Sequence, residues 1–138
     1  MKSSIISLLI ALPSLFVTEM YAQAGAGTVK KKKTTPKIIY GTASYYHDKF
    51  NGRKTANGEI FSQKKLTAAC NVLPLDTWIK VTNLRNGKSV VVKTNDRLHP
   101  RMKRVVDLSR TAAKKLGYTG HGLARVKVEV LGRKKPSD

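Results

Sequence analysis

Three histidines, one cysteine and eight carboxylates are the side chains of this chain that could move a proton or attack a bond near neutral pH. Asp96 closes the Val-rich run Val90-Val91-Val92-Lys93-Thr94-Asn95-Asp96, and Glu59 stands in a loop that carries Asn51-Gly52 and Asn57-Gly58. A carboxyl at a strand end, or in the loop beside one, can line a groove, give a proton to a leaving oxygen and later take one back. Each also has a plainer use by residue type alone: Asp96 can pair with Arg97, and Glu59 can serve its turn. Asp107, just before Leu108-Ser109, reads as a helix-start or loop-bracing carboxylate. Cys70 reads as a small buried side chain; as a nucleophile it would need a histidine partner, and no local signature supplies one. His47 and His121 fall in loops. Tyr45, Tyr46 and Trp78 can stack on a flat ligand or fill a core. No spacing of His, Cys, Asp and Glu matches a metal-ligand set, so no metal and no other cofactor is expected.

Short strands must position these groups. Ile38 to Tyr46 mixes β-branched and aromatic residues and predicts a strand, with loop from His47 to Glu59. Thr77 to Leu84 puts Ile79 and Val81 on one face and Lys80 and Thr82 on the other. Ser89 to Asp96 sets Val90, Val92 and Thr94 against Val91, Lys93 and Asn95, and Asn86-Gly87 between these two runs is a hairpin signal. Ala124 to Leu131 alternates Ala124, Val126, Val128 and Val130 with Arg125, Lys127 and Glu129. One short helix is predicted over Arg110 to Leu116, with Ser109 as cap, Lys114 and Lys115 at its negative end and Gly117 as the left-handed stop. The sum is a small all-β domain with one short helix. Periodicity leaves strand order open.

The 138 residues allow one domain. Lys2, an apolar run from Ile5 to Val17 and Ala22-Gln23-Ala24 have the order of a secretory signal peptide, which assigns 1–24 to targeting. Residues 25–37, with Lys30-Lys31-Lys32-Lys33, read as a basic flexible leader, 38–133 as the folded domain and 134–138 as a basic tail. The expectation is an exported protein, periplasmic or secreted and soluble. It has no lipid anchor, since no cysteine follows the apolar run, and no internal disulfide, since Cys70 is alone. With 27 Lys and Arg against 8 Asp and Glu the net charge is +19, which favours a polyanionic partner or surface. The signal peptide and the lack of a base-reading motif argue against nucleic acid. A monomer is expected.

An ordered set of short motifs adds a resemblance. Gly41-Thr42-Ala43-Ser44-Tyr45-Tyr46, Thr55-Ala56-Asn57-Gly58-Glu59, Leu66-Thr67-Ala68-Ala69, Leu73-Pro74-Leu75, Val81-Thr82-Asn83-Leu84, Asn95-Asp96-Arg97 and Asp107-Leu108-Ser109 follow one another as in the rare lipoprotein A family. The chain resembles that family from about Gly41 to Gly132. The resemblance implies a six-stranded double-psi β-barrel, similar also to barwin and expansin domains. It implies action on peptidoglycan glycan strands: endolytic cleavage of bonds between N-acetylmuramic acid and N-acetylglucosamine in strands without stem peptides, leaving 1,6-anhydro ends. Glu59 matches the glutamate of the family's TANGE motif and Asp96 the aspartate of its NDR motif. Cys70 stands where the family has a histidine ending TAAH, and Leu98-His99 replaces its usual Gly-Pro, so that His99 is a candidate for the missing imidazole. By the same match the catalytic set is Asp96, Glu59 and Cys70, and Tyr45, Tyr46, Asn57, Asn95 and Arg97 are expected to contact substrate. The alternative is a non-catalytic barrel that binds wall glycan, because a thiol replaces the histidine.

Overall fold

The computed structural model describes residues 35–138; the expected signal segment and residues 25–34 of the basic leader lie outside the described residues. The elements run β1 (Ile38–Tyr45), a 3-10 turn (Asp48–Phe50), β2 (Thr67–Ala69), β3 (Trp78–Asn83), β4 (Ser89–Asp96), β5 (Val106–Leu108), α1 (Arg110–Leu116) and β6 (Ala124–Gly132). The strands close into a barrel in the order β1-β5-β2-β4-β3-β6. Two pairs are parallel, β1 with β5 and β2 with β4, and the rest antiparallel. This is the six-stranded double-psi barrel with one helix that the motifs imply.

The long strands form where the alternation predicts them, because each has one face to bury. Ile79 and Val81 of β3, Val90 and Val92 of β4, and Val126 and Val128 of β6 fill the barrel, with Val106 and Leu108 of β5 beside them. The β3–β4 hairpin turns at Asn86-Gly87: Gly87 has φ 75°, which costs a residue without Cβ little, and its N–H donates to the Asn83 carbonyl at 2.8 Å. Helix α1 lays Ala112, Ala113 and Leu116 on the core. Ser109 caps it, accepting from the Ala112 N–H at 3.4 Å, and Gly117 ends it in the left-handed region at φ 76°.

Strands β2 and β5 have no legible period. Each is three residues long, and all three residues of β2 are buried, since it runs between two neighbours with both faces covered. Asn95 differs from its expected place on the wet face of β4. It is 1% exposed, because the loop after β1 folds over that end of the strand and the Asn57 N–H donates to the Asn95 carbonyl at 3.1 Å.

Candidate active site

Strand β2 places the two central carboxylates. Ala69 is in register with Asp96 on β4 to one side and with Asp107 on β5 to the other, so the two aspartates flank it two strand spacings apart, roughly 10 Å between Cα atoms. Beyond Asp107, β1 contributes Ser44, whose Oγ donates to Asp107 Oδ1 at 3.0 Å. Tyr46, just past the end of β1, is tied by its N–H to the Leu108 carbonyl at 2.9 Å, and its Oη donates to Asp96 Oδ2 at 2.6 Å. Its ring packs on Phe61, with centroids 4.1 Å apart, and edge-on to Phe50 at 5.7 Å. Burial, reinforced by the bond to Asp96, pushes the Tyr46 phenol far above its ordinary range, so it serves here as a fixed donor.

The aspartates have unlike surroundings. Asp96 Oδ1 accepts the N–H groups of Ala56 at 3.0 Å and Arg97 at 2.9 Å, which with Tyr46 makes three donors on one carboxylate. Asp107 has only the Ser44 hydroxyl and is largely buried; that burial pushes its carboxyl up to about 6, the Ser44 bond and Arg104 oppose the rise, and the charge of Asp96 adds to it. Both line a recess of about 400 Å³ walled by Tyr46, Phe50, Arg53, Leu98 and His99.

Glu59 lies beside this recess on the loop that covers Asn95, outside its lining. Its Oε1 meets Lys93 Nζ at 2.5 Å and accepts from Asn57 Nδ2 at 2.6 Å. The Lys93 ammonium, with Asn57 and Asn95, holds the Glu59 carboxyl below its usual value against a smaller desolvation penalty. Asn57 also donates to Asp76 Oδ1 at 2.9 Å, so one amide bridges two carboxylates and stiffens the loop that aims the Ala56 N–H at Asp96.

Of the other residues expected at the site, Tyr46 and Arg97 reach the recess and Asn57 supports its rim. Arg97 Nη1 is spent on the backbone, donating to the carbonyls of Cys70 and Leu73, which pins the β2–β3 connection beneath the site. Asn95 is enclosed, and its side-chain oxygen has no hydrogen-bond partner. Tyr45 points away from the recess lining, donating to the Thr119 carbonyl at 2.9 Å with its ring edge-on to Tyr118. Cys70, like Tyr45, Glu59 and Asn95, is not in the recess lining. Its side chain has no exposed surface and belongs to the apolar core, although its N–H donates to the Asp96 carbonyl at 3.0 Å. Trp78 lines a separate recess with Leu66 and Val91.

Asp107, expected to start the helix or brace a loop, lines the recess instead. It does not start the helix, a role Ser109 fills, and it braces no loop: it is the middle residue of β5. The available signal was its place in the Asp107-Leu108-Ser109 motif; the strand that turns it into the recess was too short to read.

A closed barrel with two parallel strand pairs and a carboxylate-lined recess at its wall is a double-psi β-barrel with the makings of an acid–base site. The profile of the lytic transglycolase family matches residues 38–128, and the chain belongs to that family. The endolytic peptidoglycan transglycosylase RlpA of Pseudomonas aeruginosa strain UCBPP-PA14 is 57% identical over 91 residues, 66% of this chain and 27% of that protein. RlpA of Neisseria meningitidis serogroup B strain MC58 is 41% identical over 111 residues, 80% of this chain and 46% of that protein. The chain thus matches less than half the length of these relatives. Among solved structures, the Streptomyces papain inhibitor superposes with TM-score 0.56 at 21% identity, covering 68% of this chain and 94% of that one. A mutant Clavibacter michiganensis expansin in complex with cellohexaose superposes with TM-score 0.55 at 19% identity, covering 74% and 53%. These likenesses are of fold. Among the described residues no helix is long and apolar enough to cross a membrane.

Proposed function

We propose that the barrel is an endolytic peptidoglycan transglycosylase that cleaves bonds between N-acetylmuramic acid and N-acetylglucosamine in glycan strands without stem peptides. The observation that carries this is the pair of aspartates flanking Ala69, one wrapped in donors and the other partly buried with a raised proton affinity. Two carboxyls in unlike surroundings can divide the work of acid and anion. Asp107 gives its proton to the leaving O4 of N-acetylglucosamine as the bond from muramic C1 breaks. Asp96, held by Tyr46, Ala56 and Arg97, faces the positive charge that develops at C1. The muramic O6 then closes on C1 and its proton passes to Asp107, which leaves the 1,6-anhydro end and restores the acid. Glu59 is a positioning residue: with Lys93 and Asn57 it holds the loop that donates to Asp96. Cys70 has no part in this scheme beyond filling the core, and His99 is the histidine in the recess wall.

The relatives' name supplies the substrate class, and the residues supply the roles. Mass spectrometry of products from purified denuded glycan tests the reading. Anhydro ends that vanish in both Asp107→Asn and Asp96→Asn support it. Tight binding with no anhydro ends from wild-type protein transfers the conclusion to the non-catalytic wall-binding barrel. Export to the periplasm or beyond, by cleavage near Ala24, is part of the same reading and is checked by the N-terminal sequence of the mature protein. The Lys30 to Lys33 run and outward lysines such as Lys80 would add affinity for anionic wall polymer or membrane that falls steeply with salt.

A further inference from the structure

A second recess, of about 540 Å³, lies where the β3–β4 hairpin, the end of α1 and the start of β6 meet, and no residue of the scheme above belongs to it. Its wall carries Arg85, His121 and Arg125, all exposed, and no carboxylate. The ion pairs among the described residues are Lys93 with Glu59, Arg110 with Asp48 and Lys127 with Glu129; none engages Arg85 or Arg125. Arg85 Nη1 instead lies 3.0 Å from His121 Nε2, a guanidinium resting on a ring nitrogen.

The side-chain amide oxygens of this recess, and the Arg125 carbonyl, are already engaged. Asn83 Oδ1 takes the Arg85 N–H at 3.0 Å, Asn86 Oδ1 the Lys88 N–H at 2.9 Å, and the Arg125 carbonyl the Leu84 N–H at 3.0 Å. Asn83 and Asn86 each donate to the Leu116 carbonyl at 2.9 Å, which covers the negative end of the helix where an anion would otherwise be repelled. The charge that this wall presents is that of its arginines, which no carboxylate pairs. A partner for such a surface must be an acceptor-rich anion, and guanidinium forks suit an oxyanion in particular.

The recess also adjoins the catalytic one. Leu123 is shared with an intermediate depression walled by Ser44, Arg104 and Arg110, and Tyr46 is shared between that depression and the site of Asp96 and Asp107. A polymer threaded through the catalytic recess can therefore reach Arg85 and Arg125 along one side of the barrel. The geometry points to Arg85, Arg125 and His121 as an oxyanion site that holds a carboxylate of the same glycan strand some sugars away from the bond being cut. This deepens the proposed activity and rests on it: in that polymer the anion available without a stem peptide is the lactyl carboxylate of muramic acid.

The test is calorimetric binding of a muramic-acid-containing oligosaccharide with free lactyl carboxylates to the full chain, compared with the same oligosaccharide as its methyl ester. Arg85→Gln with Arg125→Gln is the variant, and its thermal midpoint is measured to show that the exposed substitutions leave the fold intact. We expect the double variant to bind the acid at least about tenfold more weakly, the loss of one charge-assisted contact or more, and to bind the ester as wild type does. We also expect KM for strand cleavage to rise with kcat little changed. Equal binding of acid and ester by wild type, or no loss in the variant, overturns the site. Displacement of the acid by inorganic phosphate at lower concentration than by acetate overturns its assignment to a carboxylate. Arginine-dependent binding of the acid by a protein that makes no anhydro ends keeps the site and discards the activity, so the two failures are told apart.

Discussion

Asp107→Asn separates stability from chemistry. Burial raises the Asp107 carboxyl from an ordinary 3.8 to about 6 in the folded protein, so the fold binds that proton more tightly than the unfolded chain does. Its contribution to stability is complete below the unfolded value of 3.8 and is lost as pH rises through 6. At 1.36 kcal/mol for each pH unit between the two values, the penalty of ionising Asp107 in place is about 3 kcal/mol at neutral pH. An asparagine carries no charge, keeps the acceptor for Ser44 Oγ and adds an amide that must find its own partner, which reduces the gain to about 1–3 kcal/mol. The variant should thus melt higher than wild type at pH 7, by up to on the order of 10 °C for a domain of this size. The two should converge toward pH 4. The same variant should lose anhydro products by about 10²–10⁴, the range for a positioned acid–base group. Urea and thermal unfolding at pH 4, 5, 6 and 7, run beside product mass spectrometry, read both effects. A variant no more stable than wild type at pH 7, with the same pH slope, refutes the buried acid. A stabilised variant that still makes products refutes the catalytic role alone.

Tyr46→Phe removes the 2.6 Å donor to Asp96 and leaves the ring packed on Phe61; cleavage should fall by at least about tenfold with the midpoint of unfolding changed by no more than about 1–2 kcal/mol, and unchanged product yield would show that Asp96 does not need the phenol. Cys70→Ala should cost about 1 kcal/mol of stability in urea, from the small gap left in a fully buried position, with product yield unchanged; a folded variant without activity would make the thiol a site residue after all. Gly41→Ala should destabilise by about 1–3 kcal/mol, because a Cβ there would stand 2.8 Å from Val105 Cβ, and a neutral effect in thermal denaturation would mean that the β1–β5 edge yields easily.

The share legible in the sequence follows the length of the elements. Ile79 and Val81, Val90 and Val92, and Val126 and Val128 announce β3, β4 and β6, since a strand with one wet face must alternate and six to nine residues display the period. The helix was legible to the residue because Ser109 and Gly117 satisfy its ends by purely local bonds. Thr67–Ala69 and Val106–Leu108 display no period, being short and, in β2, buried on both faces, and only the motif resemblance carried any trace of them.

Asp96, Glu59 and Tyr46 could be named from motifs, but what each does depends on neighbours far along the chain. Tyr46 meets Asp96 across 50 positions, Glu59 meets Lys93 across 34 and Ser44 meets Asp107 across 63. The order of motifs determined by itself the family and the closed barrel, because that information is local and additive along the chain. Barrel closure alone decided that Cys70 is enclosed in the core, that Arg97 is spent on backbone carbonyls and that Asp107 joins Asp96 around Ala69. Burial and register exist only once distant strands pair, and a carboxyl's hold on its proton follows the water it has lost and the charges brought beside it.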